Sequence, residues 1–131
     1  MILIVDRDLG FLFWLGQLLA EAGYRVLPAL TCAEAFSHIK TFGVTIDDVI
    51  VEQGLRGASE MLQELARVNG SLRIIFIGNR VIHIPATVRA DMTIQRPRSW
   101  EPPSSKRWLM RLETVLSGSS CRHAGAVTVP R

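Results

Sequence analysis

Cysteine is scarce in this chain of 131 residues, with Cys32 and Cys121 its only two, and they lie far apart. They form neither a CxxC pair nor a disulfide framework, which fits a reducing compartment and speaks against metal binding through thiols. Long apolar runs are also missing. None approaches the roughly twenty residues that a membrane span needs, so a soluble chain without membrane attachment is expected. The three histidines, His38, His83 and His123, stand alone with no HxH or HxxxH spacing, and this leaves zinc binding and histidine catalysis without support. No glycine-rich phosphate loop occurs, because Gly54-Leu55-Arg56-Gly57 is short and no lysine follows it. Ser59, Ser104 and Ser105 have no GxSxG context. A hydrolase or nucleotide-binding enzyme is therefore not indicated, and the protein is expected to be no enzyme.

What is present is globular. Hydrophobic residues make up 48% and charged residues 21% of the chain, and the length suits one domain. The start, Met-Ile-Leu-Ile-Val-Asp6, has no basic stretch and reads as a core strand rather than a secretory signal, so a cytoplasmic location is expected. The net charge of +3 conceals a division. Residues 1–72 carry five Lys or Arg against nine Asp or Glu, while residues 73–131 carry ten against three. The basic half is a candidate surface for an acidic partner, or else the two halves face one another within the fold.

Ile2 to Val5 form an apolar β-branched run ending at Asp6, the pattern of a parallel strand covered on both faces. Phe11, Trp14, Leu15, Leu18, Leu19 and Ala22 recur with helical spacing, and Gly23 supplies the stop; Phe13 falls off that stripe. Arg25 to Leu27 form a second strand. Thr31 caps a helix over Cys32 to Thr41, with Glu34 three residues on. Val49 to Val51 form a third strand ending at Glu52, and Met61, Leu62, Leu65 and Ala66 give a helix that stops near Gly70. Leu72 to Ile77 form a fourth strand before Gly78 and Asn79. Residues 80–90 hold a proline and no helical stripe. Met92 to Ile94 form a fifth strand, and Ser104 or Ser105 caps a last helix bearing Trp108, Leu109, Leu112, Val115 and Leu116. Residues 117–131 read as a flexible tail or linker in which Ala126 to Val129 can form an edge strand. Alternating strands and helices imply a parallel sheet covered on both faces, with its site at the carboxyl ends of the strands.

The segments Ile2-Leu3-Ile4-Val5-Asp6-Arg7-Asp8, Leu18 to Val26, Asp47-Asp48-Val49-Ile50-Val51-Glu52 and Arg96-Pro97 stand in an order and spacing that resemble the receiver domains of bacterial two-component response regulators. The resemblance covers residues 2–116. It implies an α/β fold, a flavodoxin-like, doubly wound, five-stranded parallel sheet in a (βα)5 arrangement, here with an irregular or shortened fourth helix. It implies a role in phosphorelay signal transduction. It also assigns positions: two acidic residues after the first strand to hold Mg²⁺, an aspartate phosphoacceptor ending the third, a hydroxyl residue after the fourth, and an aromatic switch residue three before a lysine.

This chain departs from most of them. Asp6 matches the first acidic position, but Arg7 stands at the second, Glu52 at the phosphoacceptor, Gly78 at the hydroxyl, Thr93 at the switch and Arg96 at the lysine. Glu52 adds a methylene where misplacement of about 1 Å costs on the order of a hundredfold in rate. A guanidinium at position 7 removes one Mg²⁺ ligand and repels the ion. The expected arrangement is a metal-free cluster in which Arg7 and Arg96 hold Asp6, Glu52 and Asp8. No cofactor is expected; had a metal been held, Asp6, Asp8 and Glu52 are the carboxylates available. The resulting reading is a pseudo-receiver, unphosphorylated at the usual position, acting by contact with a histidine kinase, another regulator or a second copy as a homodimer. The alternative is a nucleic-acid binder using Arg96, Arg98, Lys106, Arg107 and Arg111 with Trp100 and Trp108.

Overall fold

A computed structural model describes residues 1–78, 90–96 and 102–116, with backbone alone for 102–104. The five strands are β1 (Ile2–Val5), β2 (Val26–Ala29), β3 (Asp48–Glu52), β4 (Arg73–Gly78) and β5 (Met92–Gln95). They form one sheet in the order β2-β1-β3-β4-β5, every pair parallel. The helices are α1 (Leu9–Glu21), α2 (Cys32–Phe42), α3 (Ala58–Val68) and α4 (Pro102–Glu113). This is the flavodoxin-like order, in which the switch point falls between β1 and β3.

Side-chain alternation along the strands builds two cores. Ile2, Ile4, Ile50, Ile75, Ile77 and Ile94 pack with Phe11, Leu15 and Leu19 of α1 and with Trp108 and Leu112 of α4. Leu3, Val5, Val49, Val51, Ile74 and Phe76 pack with Ala35 of α2 and with Met61, Leu62 and Leu65 of α3. Both faces being covered explains why the strands read as continuous apolar runs. Phe11, Trp14 and Trp108 form an aromatic cluster with centroids 5.6–5.8 Å apart. The Tyr24 hydroxyl donates to Glu113 at 2.8 Å, tying the end of α4 to the turn before β2.

Several boundaries differ from expectation. The first helix begins at Leu9 because Asp8 caps it, its side chain accepting from the Phe11 N–H. The second strand runs on through Pro28, which an edge strand tolerates. Thr31 caps α2 as expected, accepting from the Glu34 N–H at 3.0 Å, while Glu34 accepts from the Leu30 N–H at 3.1 Å. Ala66 is exposed rather than on the buried face. Ser104 and Ser105 lie inside α4, not at its cap: the helix starts at Pro102, since proline's fixed φ and missing N–H are harmless in a first turn. The irregular segment expected over 80–90 lies outside the described residues except for Ala90, and the tail over 117–131 lies wholly outside them. No helix among the described residues is long and apolar enough to cross a membrane.

Trp108→Ala removes the α4 side of the aromatic cluster and is expected to lower the unfolding free energy by about 3 to 5 kcal/mol. Met110→Ala, on the exposed side of the same helix, is expected to change it by less than about 0.5 kcal/mol. Urea denaturation followed by circular dichroism, compared at constant m, checks both.

Candidate functional site

The register of β1 on β3 pairs Val5 with Val51, so the next residues, Asp6 and Glu52, meet at the carboxyl end of the sheet. Alternation sends them to the same side. Ile2 and Ile4 face α1 and α4, so Asp6 does too; Ile50 does, so Glu52 follows; Met92 and Ile94 do, so Arg96 joins them. Two buried carboxylates placed side by side repel each other and lose water, and each has found a guanidinium.

Arg7 grips Glu52. Its Nε donates to Oε1 at 3.2 Å and to Oε2 at 3.1 Å, its Nη2 donates to Oε2 at 2.7 Å, and its backbone N–H donates to Oε1 at 2.9 Å. The Glu52 side chain is 11% exposed and that of Arg7 66%, so the guanidinium lies across the mouth of the pocket. Burial pushes the Glu52 carboxyl up, but the hydrogen bonds and charge of Arg7 outweigh it and hold the group below the ordinary glutamate range.

Arg96 holds the other carboxylate. Its Nη2 donates to Asp6 Oδ2 at 2.8 Å, and its Nη1 lies 3.7 Å from Asp8 Oδ2. The guanidinium, 13% exposed, sits 4.3 Å above the centre of the Phe11 ring, an arrangement that favours a desolvated cation. The Asp8 N–H donates to Asp6 Oδ1 at 2.8 Å. Burial still dominates at Asp6 and raises its carboxyl above the usual aspartate range, against the pull of the Asp8 N–H and Arg96 and with a smaller push from Glu52.

The expected cluster of Asp6, Arg7, Asp8, Glu52 and Arg96 is thus brought together. Gly78 is buried and contributes only its carbonyl, which accepts from the Arg96 N–H at 2.6 Å. Thr93 is exposed on β5 and stands apart. Two functions escaped the sequence reading, the cap that Asp8 provides for α1 and the Phe11 platform under Arg96. An aspartate just before an apolar helical stripe is a cap signal and was there to be read; the platform needs tertiary contact and was not. The basic stretch is broken up: Arg96 is committed to Asp6, and Trp108 is buried in the core where it cannot stack on a base. Lys106, Arg107 and Arg111 are left on the exposed side of α4, while Arg98 and Trp100 lie outside the described residues.

No protein-family model and no curated protein matches the sequence. Solved structures do. A CheY-like response regulator receiver domain from Methanospirillum hungatei is similar with a TM-score of 0.66 at 20% identity, over 86% of this chain and 90% of its own. Chemotaxis protein CheY4 of Vibrio cholerae gives 0.68 at 18% identity, over 88% and 97%. A chain from the CheX-CheY complex of Borrelia burgdorferi, crystallised with BeF3 and Mg, gives 0.63 at 20% identity over 86% of each. This is the receiver-domain fold. On that fold Glu52 ends the third strand, Asp6 and Arg7 follow the first, and Arg96 follows the fifth.

The receiver resemblance implies Mg²⁺, and the pocket can be tested for it. Both Glu52 oxygens are taken by Arg7, and Asp6 is taken by Arg96 and the Asp8 N–H. Among the described residues no three His, Cys, Asp or Glu side chains are grouped to hold a metal. Hard octahedral coordination needs converging free oxygens, and the arrangement present does not fit it.

Removing Arg96 strands a buried aspartate, so Arg96→Met is expected to cost about 3 to 5 kcal/mol. Arg7→Met, which breaks a pair open to solvent on one side, is expected to cost about 1 to 2 kcal/mol. The sign with pH follows from Glu52. Its folded value is depressed, so the stability it contributes is present above the ordinary glutamate range and is lost as pH falls through the folded value. The gap between the wild type and Arg7→Met in urea titrations should therefore be full at neutral pH and close in acid.

Proposed function

We propose that this protein is a pseudo-receiver in two-component signal transduction, fixed in one state by its own ion pairs and acting through protein contacts rather than catalysis or phosphoryl transfer. The observation that carries the reading is the grip of Arg7 on Glu52. A carboxylate whose two oxygens are engaged by a guanidinium is neither free to attack a phosphoryl group nor free to bind a metal. The cation at position 7 supplies in permanent form the positive charge that a divalent ion would bring. Gly78 offers no hydroxyl and Thr93 no aromatic ring, so the side chains that would report a change of state are missing as well.

Protein partners fit this reading. One similar structure is a complex of CheX with CheY, and a similar receiver domain belongs to the hybrid histidine kinase CckA. A kinase or regulator that recognises the receiver surface would bind this chain without phosphoryl exchange. A cytoplasmic setting and the absence of a bound cofactor belong to the same proposal.

Incubation with acetyl phosphate and Mg²⁺ followed by intact-mass measurement tests it. The expected spectrum shows the unmodified chain, and the intrinsic fluorescence of its three tryptophans is expected not to respond to millimolar Mg²⁺. A stoichiometric phosphoryl adduct on Glu52 or Asp8 would sink the reading.

A further inference from the structure

We propose that the exposed side of α4 is a docking surface for an acidic segment of a partner protein, one whose carboxylates flank an apolar side chain. The inference rests on the reading that this chain acts through protein contacts, and it adds the chemistry of the partner. At about 3.6 residues per turn, Lys106, Arg107, Met110 and Arg111 fall on one side of the helix, opposite the buried Trp108 and Leu112. All four are exposed, Met110 to 70%. Arg107 and Arg111 stand about 6 Å apart along the axis, and Met110 lies between that pair and Lys106.

The charge of this side has one sign. Among the described residues, the side chains of Lys106, Arg107 and Arg111 enter no ion pair or hydrogen bond. Glu113, the one acid in α4, is half-buried and held by the Tyr24 hydroxyl at the end of the helix. The other charged helices mix their signs: Glu64 pairs with Arg67 on α3, and Glu34 and Lys40 stand at opposite ends of α2. Arg107 and Arg111, four residues apart, repel one another. A solvated helix has no need of that repulsion, and a partner's carboxylates remove it.

Met110 favours a protein over a nucleic acid. An apolar, adaptable side chain ringed by cations matches a leucine-like side chain ringed by carboxylates. Against a phosphate backbone its burial gains nothing. Trp108, the aromatic residue of α4 that could stack on a base, is buried, and three cations give few phosphate contacts. The surface also lies on the side of α4 away from the sheet, so docking there leaves the ion-paired pocket as it is.

The probe is a fluorescein-labelled helical peptide of about twenty residues, with Glu at i, i+4 and i+7 and Leu at i+3 on an alanine–glutamine background. Fluorescence anisotropy follows its titration with the full chain. At about 50 mM salt the Kd is expected to be on the order of 100 µM, rising at least about fivefold at about 300 mM salt. Arg107→Glu and Arg111→Glu are each expected to raise it at least about tenfold. Arg56→Glu, on the exposed loop between β3 and α3, alters the net charge equally and is expected to leave the Kd within about threefold. Met110→Ala is expected to weaken the leucine peptide at least about threefold and to leave a peptide with Ala at i+3 unaffected. Circular dichroism should show all four variants folded, since each position is exposed. A labelled DNA duplex of about twenty base pairs is expected to bind more weakly than the peptide at the same salt. No binding of the peptide, equal losses from Arg56→Glu and Arg107→Glu, indifference to Met110→Ala, or tighter binding of the duplex overturns the proposal. A phosphoryl adduct on Glu52 would end the pseudo-receiver reading instead and leave this measurement standing.

Discussion

The parallel pairing of β1 with β3 forces Asp6 and Glu52 together at the end of the sheet, on the side covered by α1. Neither can turn away, because a one-residue slip in register would send the whole apolar set of its strand to the wrong side. The core therefore fixes the charges. Leaving two carboxylates unpaired there would oppose folding by several kcal/mol each. Arg7 and Arg96 relieve this in different ways. Arg7 stays at the surface and closes over Glu52, while Arg96 is itself desolvated and takes part of its support from the Phe11 ring. The pocket is thus tied to the aromatic cluster: Phe11 touches both Arg96 and Trp108.

A switch needs two arrangements of similar free energy and a ligand that binds one of them better. Pairs already formed within the chain bias the pocket toward a single arrangement before any ligand arrives. Under the proposed function, this is the physical difference between this chain and a phosphorylatable receiver. On that proposal the acidic groups at the strand ends serve as structure, and two side chains supply the neutralisation that a bound ion would otherwise bring. On the same proposal the surface carries the function, since contacts on a fixed scaffold need no chemistry at the strand ends.

Much of this was legible in the residues. Continuous apolar runs and helical spacing marked the described strands and helices, because a sheet covered on both faces leaves no polar interruptions within its strands. The gathering of Arg7 and Arg96 with Asp6, Glu52 and Asp8 was legible for a related reason, since charges at adjoining strand ends must find partners, but which arginine takes which carboxylate was not. Ala66 was misassigned because alanine is small enough to sit on either side of a helix. The start of α4 was misplaced because serine at a helix entrance competed with proline at its first turn. The platform under Arg96 was invisible, since Phe11 and Arg96 are 85 positions apart and are joined only once the sheet and its covering helix have assembled.

The opposed charges of the two halves now divide into local and remote parts. Asp6 and Arg96 neutralise each other directly, and within the pocket three carboxylates face two guanidiniums, leaving a single excess negative charge. That charge rests with Asp8, whose side chain is 48% exposed and already occupied at Oδ1 by the Phe11 N–H. A divalent ion approaching the pocket meets one available oxygen, with two cations behind it. Mg²⁺ dehydrates reluctantly, and one oxygen does not repay the loss of its water. The arginines therefore do more than replace a ligand. They reduce the pocket's residual charge to one and put it at the rim, where water already serves it.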